Sequence, residues 1–180
     1  MTRAKEVNVL RKGYVFLSPQ WVQEASRVIQ SAKRTDEYLG KLASRLNLGL
    51  TYIITDLPKE LSEAIGESKM VIFIRLKKGA VQVLEIGTTV PEGEKVDFTI
   101  ASSYRQAKSI FLGEINPANA FVRRQIQVMP LREVYRRPRF TAECIVGGNQ
   151  MIQIIQTIPT IFQSNSTDSS DNRCIACRTT

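Results

Sequence analysis

Residues 96–129, VDFTIASSYRQAKSIFLGEINPANAFVRRQIQVM, constrain the fold more than any other stretch, because their pattern writes one strand–helix–helix–strand unit. Val96, Phe98 and Ile100 alternate with Asp97 and Thr99, the period-two signature of a strand with one buried face. Ser102 and Ser103 are candidate N-caps for a helix that repeats Tyr104, Ala107, Ile110 and Phe111 at three- and four-residue spacing and stops at Gly113. Asn116 before Pro117 restarts a helix through Ala120 and Phe121, since proline is pre-set for a first helical turn. Residues 125–129 alternate again and return the chain to the sheet.

Upstream, Ser18 and Pro19 open a helix carrying Trp21, Val22, Ala25, Val28 and Ile29 on one side. Thr35 or Asp36 caps a second helix bearing Tyr38, Leu39, Leu42 and Leu46, closed by Asn47 and Gly49. Both read as core-facing. A gate over a ligand portal is the alternative role for Trp21, but a large aromatic at helical spacing is usually packing. From residue 50 the period changes: LTYIITDL is a strand, residues 58–65 a short helix or turn, and residues 69–76 a second strand of branched apolar residues. Lys77, Lys78 and Gly79 make a hairpin turn, residues 80–87 pair back antiparallel, and residues 88–95 form a loop rich in Pro, Gly and Glu.

With the strands in 96–103 and 125–129 this gives five strands, enough for one sheet with a face covered by helices. Residues 131–137 read as helical, Pro138 breaks or restarts the helix, and residues 139–158 continue it with Phe140, Cys144, Ile145, Met151, Ile152, Ile154, Ile155 and Ile158. The run Gly147-Gly148-Asn149 is expected to weaken or bend it, each glycine costing about 1 kcal/mol relative to alanine. Residues 1–13 are polar and expected to be loose, and residues 161–180 have the composition of a disordered tail, leaving one domain over 14–160.

The strand VDFTIASS, the helix SYRQAKSIFLGEI with its closing Gly113, the NPANAF turn-helix and the strand RRQIQVM together resemble the second half of the sterol carrier protein type two family. Trp21 in an N-terminal helix and the strand pair KMVIFIRLKKGAVQVLEIG fit the same layout, so the resemblance covers roughly residues 15–158. It rests on layout rather than on a chemical motif. What it implies is an α+β fold, a five-stranded mainly antiparallel sheet covered on one face by helices, with a C-terminal helical segment helping to close a hydrophobic tunnel. On the residues alone, MIQIIQTI is equally a core helix.

No apolar run approaches the roughly 20 residues that span a bilayer, and MTRAKEVNVLRKG lacks the apolar core of a secretory signal, so the expected compartment is the cytoplasm. Three cysteines do not make a secreted disulfide scaffold, which agrees. The net charge of +8 gathers between residues 104 and 140, where Arg105, Lys108, Arg123, Arg124, Arg132, Arg136, Arg137 and Arg139 meet only Glu114 and Glu133. Such a face attracts anionic headgroups, nucleic acid or an acidic partner, and serves solubility equally well. Nucleic acid is disfavoured, since no ribonucleoprotein motif, zinc-finger spacing or GxxG loop occurs and the aromatics are not interleaved with the arginines.

Chemistry is constrained by what the chain lacks. It contains no histidine, which excludes Ser-His-Asp and Cys-His nucleophiles and histidine metal sites. No P-loop or dinucleotide fingerprint occurs, so no cofactor is expected. Glu60 with Glu63, and Glu92 with Glu94, sit beside lysines and read as solvated charge rather than as general acids. Cys174 and Cys177 form a CxxC, but zinc needs four ligands and only Cys144 could join them from one chain; the motif sits in the tail SNSTDSSDNRCIACRTT.

The resulting expectation is a non-catalytic lipid carrier that encloses an acyl chain or a similar apolar lipid, such as a fatty acid, acyl-CoA or isoprenoid, with transient contact to anionic membrane. Candidate cavity residues are Phe98, Ile100, Ile110, Phe111, Ile126, Val128, Phe140, Ile152 and Ile155; candidate membrane or anionic-partner contacts are Arg123, Arg124, Arg132, Arg136, Arg137 and Arg139. On spacing alone the first set is equally plain core. The competing readings are an accessory protein with a filled core whose basic face docks an acidic partner or RNA, and an enzyme or its regulatory domain.

Overall fold

The computed structural model describes residues 13–163. The expected loose N-terminus and most of the expected tail, with Cys174 and Cys177, lie outside the described residues. In chain order the elements are β1 (Tyr14–Val15), α1 (Pro19–Thr35), α2 (Glu37–Ser44), β2 (Leu48–Thr55), α3 (Lys59–Ile65), β3 (Met70–Lys77) and β4 (Ala80–Gly87). There follow β5 (Phe98–Ser103), α4 (Tyr104–Phe111), α5 (Pro117–Val122), β6 (Gln127–Met129), α6 (Leu131–Arg136), α7 (Pro138–Ile155) and β7 (Thr160–Ile161).

The helix starts are set by side chains that satisfy otherwise orphaned backbone N–H groups. Ser18 accepts from the Trp21 N–H at 3.2 Å ahead of Pro19, and Asp36 accepts from the Leu39 N–H at 2.9 Å, so one residue both ends α1 and starts α2. Ser103 and Gln106 form a reciprocal capping box on α4, and Asn116 accepts from the Ala118 N–H at 2.9 Å ahead of Pro117. Lys78 and Gly79, with φ of 48° and 70°, make the two-residue turn between β3 and β4, the left-handed pair that matches strand twist.

Five strands form one sheet in the order β4-β3-β2-β5-β6, antiparallel except for the central β2–β5 pair. The register aligns Ile72, Tyr52, Ile100 and Val128 in one cross-strand row, and Leu84, Ile74, Leu50 and Phe98 in the next. Side chains alternate between faces along each strand, so both rows point to one side. The α+β class and the five-stranded sheet are therefore as expected from the sequence.

On the opposite side Thr51 and Phe73 are 1% and 0% exposed. The Arg75 guanidinium lies 5.5 Å from the centre of the Phe73 ring, pairs with Glu94 at 2.7 Å and bonds the Lys95 carbonyl. Asp97 accepts from the Gly49 N–H at 2.8 Å and returns its own N–H to the Gly49 carbonyl at 2.8 Å. A Cβ on Gly49 would collide with the Lys95 carbonyl oxygen, so only glycine admits this loop. Glu94, expected as solvated charge, is instead three-quarters withdrawn from water beside Arg75.

One further expectation needs correction. Strand β7 pairs in parallel with β1, Tyr14 opposite Thr160 and Val15 opposite Ile161, so the ordered chain continues past the expected boundary at residue 160. Phe162 then packs 5.1 Å from Phe16, whose ring also meets Trp21 at 5.0 Å and Phe111 at 5.1 Å, while Trp21 Nε1 donates to Thr160 Oγ1 at 2.9 Å. Helix α7 is continuous through Gly147 and Gly148. Gly147 is buried against Leu42 of α2, and a Cβ there would meet Leu42 Cδ2 at 3.1 Å, so this glycine lets the two helices pack closely.

Candidate functional site

The inner rows of the sheet do not meet the helices everywhere. Between them lies a cavity of about 500 Å³. Its floor is Leu50 and Tyr52 of β2, Ile72 and Ile74 of β3, Leu84 of β4, and the neighbouring strands β5 and β6. Helices α1, α4, α5 and α7 flank it and leave it partly open, with contributions from α2 and α6. Phe16, Trp21 and Phe111, whose rings pack against one another with centres 5.0–5.5 Å apart, also line it.

All nine residues that alternation and helical spacing singled out are on its wall. Phe98 and Ile100 come from β5, Ile110 and Phe111 from α4, Ile126 and Val128 from the return to β6, and Phe140, Ile152 and Ile155 from α7. Phe98 and Phe140 stack across the space with ring centres 6.1 Å apart, linking sheet to helix. Sequence reasoning missed the floor from β2, β3 and β4 and the wall from α1, including Ile29. The alternation in LTYIITDL was the available signal, but a period of two does not say which parity faces the helices.

Two hydroxyls on the wall have protein partners. The Tyr52 hydroxyl bonds the Ser102 hydroxyl at 2.8 Å, and burial pushes its pKa up. Thr141 Oγ1 donates to the Val134 carbonyl at 2.8 Å. Burial, reinforced by neighbouring Glu143, pushes the Cys144 thiol up to about 11, so it stands neutral at physiological pH and is a poor nucleophile. Among the described residues Lys33 is the sole charged side chain on the wall. Among the same residues no group of three or more His, Cys, Asp or Glu is placed to hold a metal ion.

The six candidate contact arginines are all exposed on consecutive elements: Arg123 and Arg124 follow α5, Arg132 and Arg136 lie in α6, Arg137 follows it, and Arg139 lies in the first turn of α7. One carboxylate answers three of them, Glu133, at 3.8 Å from Arg132, 3.3 Å from Arg136 and 3.6 Å from Arg137. Interspersed are exposed apolar residues, Val122, Met129, Leu131 and Tyr135, at 78%, 59%, 49% and 73% exposure. The same elements turn Phe121, Val134 and Phe140 inward onto the cavity wall.

Among solved structures the chain is similar to one described as sterol carrier protein 2, with a TM-score of 0.57, 15% identity, and coverage of 78% of this chain and 97% of the other. It is equally similar, at a TM-score of 0.57 and 15% identity over 80% of this chain and 92% of the other, to a conserved hypothetical protein of Thermus thermophilus described as possibly a sterol carrier protein. These likenesses show a shared fold. No curated protein matches the chain in sequence. The family model for SCP-2 sterol transfer matches residues 29–129, more than half of the 180 residues, and spans the strands and helices that build the cavity floor and one of its walls. The chain therefore belongs to the SCP-2 sterol transfer family.

Proposed function

We propose that the protein binds and carries an apolar lipid, enclosing an acyl chain or a comparable apolar ligand between sheet and helices and performing no chemistry on it. The observation that carries this reading is the cavity: about 500 Å³ of space walled by aliphatic and phenyl groups, within the ~300–1,000 Å³ typical of small-molecule sites. Each methylene moved from water into such a space contributes about 0.8 kcal/mol, so affinity grows with chain length and selectivity among apolar ligands is loose. Fatty acids, acyl-CoA and isoprenoids are ligand classes whose apolar chains suit such a space. A filled core docking an acidic partner or RNA accords poorly with so much unfilled apolar space. An esterase reading lacks the Ser-His-Asp and Cys-His arrangements, since the chain has no histidine, and the Cys144 thiol, held at about 11, is a poor nucleophile.

The arginine-bearing end is proposed as the surface that meets anionic bilayers. Exposed Val122, Leu131 and Tyr135 among six arginines favour a lipid surface over nucleic acid, because apolar side chains can enter the headgroup boundary while each nearby cation adds roughly 1 kcal/mol. Native mass spectrometry of the purified protein, followed by organic extraction of the same sample, tests the carrier reading. Discrete adducts of lipid mass that vanish on extraction are expected. A single clean protein mass, together with no binding of a fluorescent fatty acid, would overturn it.

A further inference from the structure

Helix α1 runs along the cavity from Trp21 through Ala25 and Ile29 to Lys33, all on its wall. Twelve positions separate Trp21 from Lys33, about 18 Å at 1.5 Å per residue. One end of that line is the aromatic cluster. At the other, Lys33 Nζ donates to the Gly79 carbonyl at 2.9 Å, at the tip of the β3–β4 hairpin. The hairpin tip is held firmly: Gly79 also lines the cavity, and a Cβ there would collide with the Ala43 carbonyl oxygen of α2.

An ammonium carries three donors, and Gly79 uses one. Among the described residues no carboxylate lies within 4.0 Å of Lys33, whereas Lys41, on the neighbouring helix, is paired with Glu37 at 2.6 Å. A lone cation on an apolar wall with spare donors suits a ligand having one compact negative group and a long apolar tail. The several phosphates of a coenzyme A head would ask for more cations than the single one here, and an isoprenoid hydrocarbon would leave it unanswered.

We infer that Lys33 anchors the carboxylate of a free fatty acid at the hairpin end of the cavity, with the acyl chain running along α1 toward Trp21. The inference rests on the carrier reading and selects one ligand class within it. The alternative role is a strut that only ties α1 to the hairpin.

The test compares palmitate with its methyl ester, by displacement of an uncharged fluorescent probe, in the wild-type protein, in Lys33→Met and in Lys33→Arg. The wild type is expected to favour the acid by about tenfold to a hundredfold, the range of a charge-assisted hydrogen bond. Lys33→Met is expected to lose that preference with ester affinity within about twofold of wild type, and Lys33→Arg to keep part of it. Equal affinity of the wild type for acid and ester would overturn the inference while leaving the carrier reading intact, and this arm needs no variant to fold. Equal weakening of acid and ester in Lys33→Met would assign Lys33 the strut role. Failure of acid, ester and probe alike to bind the wild type would sink the carrier reading and the inference together.

Discussion

On the helix side of β2 and β3, Leu50, Tyr52, Ile72 and Ile74 border open volume, whereas one position along, on the other side, Thr51 and Phe73 are 1% and 0% exposed. The same strands thus present a hollow face and a solid one. The solid face is finished by polar groups, since Arg75 stacks on Phe73 and is itself fixed by Glu94 and by the Lys95 carbonyl. The hollow face is finished by aliphatic and aromatic groups that stop short of one another. Its empty space withholds dispersion contacts and costs stability, and a protein that kept only stability would have closed it.

The contrast breaks first at Phe73. Truncation to alanine leaves a void in a site with no room to collapse, and a loss of about 3–5 kcal/mol in urea unfolding is expected, with fatty acid probe affinity little changed among molecules that still fold. Phe98→Ala, on the hollow face, should cost clearly less and should alter probe affinity instead. Equal costs at the two positions would mean the inner face is as solid as the outer.

The adjacent glycines of α7 sharpen it further. A Cβ on Gly148 meets nothing within 4 Å, while one on Gly147 meets Leu42 at 3.1 Å, and both glycines line the cavity. Gly148→Leu is expected to raise stability by up to about 1 kcal/mol through helix propensity and to weaken probe binding by occupying the space. Gly147→Leu should lower stability by forcing α7 from α2. Thermal unfolding with and without probe separates the two, and weaker binding in Gly147→Leu alone would place the ligand elsewhere.

Cys144 reports on the hollow face through its reactivity. With its pKa near 11, alkylation at pH 7 should run about a hundredfold slower than at an ordinary thiol, quicken as pH rises toward 11, and slow further when a fatty acid is bound. Peptide mass spectrometry separates this cysteine from Cys174 and Cys177. Unchanged alkylation in the presence of saturating ligand would remove Cys144 from the bound surface.

The smallest effect belongs to the loop over the solid face. Burial alone would raise the Asp97 pKa, but the Gly49 N–H bond, Lys95 and Arg75 outweigh it and hold the carboxyl below its usual range. A folded-state pKa below the unfolded value gives stability that is present above the unfolded value near 4 and is lost as pH falls through the folded one. Asp97→Asn should therefore flatten part of the acid limb of a stability–pH curve below about pH 4 and leave neutral-pH ligand binding alone. An unchanged acid limb would show the ionic contact to be idle.

Much of this architecture was legible because local chemistry decided it. Ser18 and Asn116 cap helices as their positions predicted, Asp36 and Ser103 do so out of the pairs Thr35–Asp36 and Ser102–Ser103 that the sequence offered, and alternation in residues 96–100 and 125–129 placed Phe98, Ile100, Ile126 and Val128 on one side. The β1–β7 pair was not legible, since two-residue strands have no period to read and their partners lie 146 positions apart. Lys33 was one cation among 25 lysines and arginines, and only the packing of α1 against the hairpin separates it from the rest. Glu94 looked like a surface charge for the same reason, because its partner Arg75 comes from a strand 19 positions earlier.

The clasp between the first and last strands also sets an order of events during synthesis. Trp21 and Phe16 leave the ribosome well over a hundred residues before their partners Thr160 and Phe162. A nascent chain can pair β3 with β4 through their two-residue turn and β2 with β3 across α3, but its aromatic cluster stays unsealed until residues 160–162 are free. Quality control acting on this protein would therefore meet an unsealed aromatic end until Thr160 has emerged, and a ribosome stalled before Thr160 would hold a chain whose sheet is made and whose aromatic end is open.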